Sequence, residues 1–176
     1  MREAIKNFNK QFEYEPVIEN ADKLGAYKKS IVCGMGGSHL AADILKAGVA
    51  GLNIVIHSDY GLPSHTENAF IICNSYSGNT EETISAFDEA IDKKLSVAVV
   101  ATGGKLIDLA KKNKVSYIQM PAIGIQPRAA LGFNLRALAK IMGREDALQE
   151  TRILAEELKP ADYEVAGNDL AKRIKG

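Results

Sequence analysis

Tryptophan is absent, and the 176 residues include only two cysteines and three histidines. Two cysteines cannot build the disulfide framework of a small secreted scaffold. Both lie in apolar runs, "IVCGMGG" around Cys33 and "FIICNS" around Cys73, where a reduced thiol behaves as a small hydrophobe. Buried free thiols are therefore expected. Net charge is missing as well, because 22 basic residues balance 22 acidic ones. No global field draws the chain to nucleic acid or anionic lipid, so any bound anion has to be recognised locally. Near-zero charge also favours self-association and points towards a homo-oligomer, in the simplest case a dimer. No apolar run reaches the ~20 residues of a membrane helix. The opening "MREAIKNFNKQFEYEP" scatters charge where a signal peptide has its apolar core. The expectation is a soluble cytoplasmic protein with neither a membrane nor a nucleic-acid partner. His57 and His65 have no third ligand at metal spacing, so no metal is expected, and no other cofactor.

What is present is an alternation. "SIVCG", "NIVIHS", "AFIICNS", "SVAVVAT" and "SYIQMP" read as strands, and the segments between them carry helical spacing. Continuous apolar strands indicate a sheet covered on both faces. The pattern predicts an α/β domain with a parallel sheet of about five strands wrapped in helices. Residues 1–25 read as a helical lead-in, 26–145 as the α/β domain and 146–176 as a helical extension. That extension carries Leu148, Leu154, Leu158, Val165, Leu170 and Ile174 on apolar faces that need burial.

Ligands of such sheets sit beyond the carboxyl ends of the strands, near the topological switch point. Two turns there have suitable composition. "CGMGGSHLAADIL" follows the first strand; Gly34, Gly36 and Gly37 permit a tight turn and a close backbone approach, and Ser38 can cap the next helix. "SYSGNTEET" follows the third, with Gly78 for the turn and Asn79 or Thr80 as a cap. Helix N-termini present unpaired N–H groups and partial positive charge, so amides and hydroxyls can hold a phosphate without a basic side chain. Glu81 and Glu82 pull the other way, and "NTEE" also reads as a plain capping box of Asn79 with Glu82.

Other anion motifs fit less well. Gly34 and Gly36 match the first two glycines of G-x-G-x-x-G, but His39 takes the third place, leaving a dinucleotide site with Asp59 as its ribose acid as a weak alternative. No G-x-x-x-x-G-K-[ST] occurs, and "TGGK" at Thr102 to Lys105 reads as a simple turn.

"GMGGS", "SYSGNTEET" and "QPRAALG", in that order, resemble the sugar isomerase (SIS) domain, and more narrowly the N-terminal half of bifunctional phosphoglucose/phosphomannose isomerases. The resemblance implies a three-layer αβα sandwich, flavodoxin-like, that binds the phosphate of a hexose 6-phosphate. Position by position, it makes Ser38, Ser75, Ser77 and Thr80 substrate-binding residues, with Gly37 lending backbone near the sugar. Arg128 becomes the catalytic residue that stabilises an enediolate, a role suited to a permanently charged guanidinium. His39 stands where the family usually has a small residue. The family's proton-moving glutamate, ring-opening histidine and a further lysine lie in a second SIS domain that this sequence does not contain. The implied enzyme is thus an aldose–ketose isomerase whose general base is not visible here, requiring a complementary half. A non-catalytic phosphosugar sensor is the other reading.

Overall fold

The apolar runs become one parallel sheet of five short strands: β1 (Ser30–Cys33), β2 (Ile54–His57), β3 (Phe70–Asn74), β4 (Val97–Ala101) and β5 (Ser116–Gln119). Their order is β2-β1-β3-β4-β5 in the computed structural model, which describes residues 2–25 and 27–175. This is the flavodoxin-type winding and not the dinucleotide-binding order. β1, β3 and β4 are buried along their whole length, as central strands covered on both faces must be.

Seven helices complete the described chain: α1 (Arg2–Lys6), α2 (Gly37–Gly48), α3 (Glu81–Asp92), α4 (Gly104–Asn113), α5 (Leu131–Ile141), α6 (Glu145–Glu157) and α7 (Glu164–Ile174). Strand alternation splits the interior into two layers. Val32, Ile72 and Val100 face α2 and α5, whereas Ile31, Ile71 and Val99 face α3 and α4. The expected αβα sandwich is what forms. Cys33 and Cys73 are free, buried and opposite one another on β1 and β3. Burial pushes the Cys33 thiol up to about 12 and raises Cys73 as well.

The lead-in is only partly helical. After α1 and a 3-10 turn at Phe8–Glu13 it runs extended, and Glu19 exchanges backbone hydrogen bonds with Tyr117 at 2.9 and 3.1 Å. That bridge covers the otherwise open β5 edge. Arg136 of α5 fastens the same segment from inside. It is 1% exposed and donates to Tyr14 O, to Leu148 O at 2.8 Å and to Glu15 Oε1 at 3.1 Å. Gln11 donates to Ala129 O at 2.6 Å and accepts from Gly132 N–H at 3.0 Å. The lead-in therefore holds the turn that carries Arg128.

The apolar tail divides. Leu148 is buried, and Leu154 and Leu158 pack against the core, but Val165, Leu170 and Ile174 remain 73%, 53% and 74% exposed on α7. Among the described residues no helix is long and apolar enough to cross a membrane.

Replacing Arg136 by alanine leaves buried carbonyls without a donor, and is expected to cost about 3 kcal/mol of unfolding free energy. Urea denaturation measures it; an unchanged midpoint would show that the lead-in is held by apolar packing alone.

Candidate functional site

β1 and β3 are neighbours, yet the chain leaves them in opposite directions, towards β2 and towards β4. A crevice opens at such a switch point, and both candidate loops border it. They are locked together. Asn74 Nδ2 donates to Ser38 O, and Tyr76 N–H donates to Ser38 Oγ at 3.1 Å. A Cβ on Gly34 would lie 2.7 Å from Asn74 O, so only glycine allows the loops this close. Ser38 is therefore not a cap: Gly36, at φ +52°, occupies that position, and Ser38 is buried in the first turn of α2.

Hydroxyl hydrogens can be counted around the second loop. Ser75 Oγ accepts from Gly78 N–H at 3.1 Å and shares one hydrogen with Thr80 Oγ1 at 2.7 Å. The pair has one hydrogen left, and of the two hydroxyls only that of half-buried Thr80 is within reach of a ligand, Ser75 being 1% exposed. Ser77 Oγ accepts from Asn79 N–H at 3.3 Å and keeps its own hydrogen. Ser38, an acceptor from Tyr76, keeps its hydrogen too.

Asn79 does not form the expected box with Glu82. Its Oδ1 accepts from Lys105 N–H at 3.0 Å, in the first turn of α4. The cause is the turn at Gly78, φ +71°, which presses the loop against Gly103. One amide of α4 is satisfied this way, whereas the caps of α2 and α3 supply no side-chain hydrogen bond. The other helices with a defined N-cap also lack a side-chain cap, so what distinguishes α2 and α3 is their position: their uncapped amides and positive potential flank the switch point.

The third motif comes to the same place. A Cβ on Gly37 would lie 2.9 Å from Arg128 N, so the 3-10 turn Pro127–Ala129 rests directly on the start of α2. Arg128 is exposed and takes part in none of the ion pairs among the described residues. On its far side lies an apolar groove of about 430 Å³, walled by Ile5, Phe8, Leu158 and Tyr163.

The histidines stand apart. His39 Nδ1 pairs with Asp43 Oδ2 at 2.8 Å on α2, and His57 Nε2 is buried without a partner. His65 lies in the strap after β2, which the sequence reading missed. The strap is tied to α3: Tyr60 Oη donates to Glu81 Oε2 at 3.2 Å, Gly61 N–H to Ser85 Oγ at 3.2 Å and Leu62 N–H to Glu89 Oε2 at 2.8 Å. Lys93, 2.6 Å from Glu89 Oε1, and that Leu62 amide hold the Glu89 carboxyl below its usual range. Asp59 accepts from the following backbone N–H of Tyr60 at 2.7 Å.

No family model matches the chain. It is 34% identical over 183 residues to the bifunctional phosphoglucose/phosphomannose isomerase of Aquifex aeolicus, covering 98% of this chain and 54% of that protein. The protein of the same name from Caldicellulosiruptor bescii is 34% identical over 161 residues, covering 83% and 47%. Among solved structures, a putative phosphosugar isomerase from Clostridium difficile superposes with a TM-score of 0.54 at 20% identity, covering 98% of this chain and 52% of that one. The sugar isomerase domain of the RpiR transcription factor from Sphaerobacter thermophilus gives 0.50 at 15% identity, covering 85% and 92%. Sheet order and these likenesses give the chain the fold of sugar isomerase (SIS) domains. The chain is a relative of the bifunctional phosphoglucose/phosphomannose isomerases and spans about half the length of the curated relatives it matches.

The strap carries a pH signature. Because the Glu89 carboxyl is depressed in the folded chain, its contribution is full above the ordinary glutamate range near pH ~4.3 and is lost as pH falls through the lower folded value. The stability difference between wild type and Glu89→Gln should therefore shrink on going from about pH 6 to 3. Thermal melts across that range check it; a pH-independent difference contradicts the ion-paired strap.

Proposed function

We propose that this chain is the sugar-phosphate-binding SIS unit of an isomerase that interconverts glucose 6-phosphate or mannose 6-phosphate with fructose 6-phosphate, corresponding to its N-terminal half. The observation that carries the reading is the meeting of three motifs at one switch point, with Gly37 packed on the Arg128 backbone and the hydroxyl loop across the crevice. In this reading Ser38, Ser77 and Thr80 direct their remaining hydroxyl hydrogens at the phosphate. Ser75, buried beneath Thr80, orients that donor. The uncapped starts of α2 and α3 add amides and positive potential. Gly37 brings backbone close to the sugar, and Arg128 stabilises the oxyanion of an enediolate as a proton moves between C1 and C2.

That proton transfer needs a base within hydrogen-bond reach of the reacting carbons. His39 is engaged by Asp43, and the Nε2 of half-buried His57 is closed off from solvent. Neither is placed to serve. We therefore assign the base to a complementary half supplied by a different segment or partner chain; self-association of this chain, favoured by its zero net charge, would be additional to it, and we place the assembly in the cytoplasm.

Calorimetry with fructose 6-phosphate tests the binding. The 176-residue protein should bind it weakly. Thr80→Ala should cost about 1.5–3 kcal/mol, a charge-assisted hydrogen bond being of that order, and Ser75→Ala, which frees the Thr80 hydroxyl and the Gly78 amide from their partner, should also weaken binding. Unaltered affinity in both variants places the site elsewhere. In a coupled assay the chain alone should show little turnover; robust turnover would overturn the need for a second half. Stabilisation by hexose phosphates with no activity even beside a candidate half would favour a sensor, a reading consistent with the exposed apolar face of α7.

A further inference from the structure

The "TGGK" turn, read from the sequence as a plain connection, is stitched to the hydroxyl loop along its length. Thr102 N–H and Oγ1 both donate to Tyr76 O, at 3.0 and 2.7 Å. Leu106 N–H donates to Gly78 O at 2.9 Å, and Lys105 N–H to Asn79 Oδ1 at 3.0 Å. Glycine is needed on both sides of the contact: a Cβ on Gly104 would lie 2.5 Å from Ser77 O, and one on Gly78 1.8 Å from Gly103 O. The turn is thus packed along the hydroxyl loop on its β4–α4 side.

Lys105 belongs to that turn. It is exposed and takes part in none of the ion pairs among the described residues. It also sits in the first turn of α4, where no acidic residue accompanies it and the helix dipole disfavours a cation. The same chain follows the dipole rule at α3, which begins with Glu81 and Glu82. A locally unfavourable, unpaired charge beside hydroxyls with hydrogens to donate has its use outside its own helix. Building on the phosphosugar reading of this loop, we propose that Lys105 is the cation at the phosphate, as Arg128 is the one at the reacting carbons. Its flexible four-carbon stem lets the ammonium approach the ester dianion from the α4 side, where it offsets the carboxylates of Glu81 and Glu82. Neutral hydroxyls cannot make binding strongly salt-dependent, whereas this ammonium does.

Calorimetry of the whole chain with fructose 6-phosphate, at about 20 mM and about 300 mM salt, tests the assignment. Lys105→Ala should weaken binding about fivefold at low salt, with the gap closing at high salt, as for one exposed charge pair. Lys105→Arg should bind like wild type. If Lys105→Ala matches wild type at both salt levels while Thr80→Ala loses binding, the site stands and the role of Lys105 falls. If wild type does not bind, or Thr80→Ala binds as wild type does, the loop is not the site and both readings fall together.

Discussion

Ser38 joins two loops that local structure alone would leave apart. Its carbonyl takes the Asn74 amide and its hydroxyl takes the Tyr76 N–H, so the exits from β1 and β3 are fixed against each other at the switch point. These are buried polar contacts, in which an unmet donor costs more than a made bond gains, so the geometry has little freedom. From this clamp the rest follows outward. Tyr76 O receives Thr102 and so aligns the mouth of α4. The start of α2 seats the turn of Arg128, and Gln11 holds that turn from the opposite side.

Strand positions, the sandwich architecture and the helical tail were legible because they rest on periodicity, which every residue of an element repeats. The capping pattern was not. "NTEE" satisfies the local rules for a box, and only the approach of Gly78 to Gly103, a contact between segments about 25 residues apart, turns Asn79 towards α4 instead. Ser38 is similar: its hydroxyl partner lies 38 positions away. The strap was invisible for another reason. "SDYGLP" has no apolar period, and its anchors are single hydrogen bonds to Ser85 and Glu89 on a different element. For α7 the pattern disclosed an apolar face correctly, but a moment along one helix carries no information about what covers it.

An acidic start to α3 looks incompatible with an anion nearby, and the strap removes much of the conflict. Tyr60 donates to Glu81, so that carboxylate is held on the strap side of the helix. The acid then serves the α3 dipole from outside, while Thr80 and the uncapped amides face the crevice. Separating the two demands requires that the strap stay down. Its strongest tie is Glu89, which lies two turns along α3 from Glu81, accepts from Leu62 and pairs with Lys93 at the C-cap of the helix. The electrostatics at the mouth of the crevice therefore depend on a carboxylate that never enters it. The hydroxyl loop is sensitive to this arrangement, because each hydroxyl contributes a small dipole and one misplaced carboxylate carries a full charge.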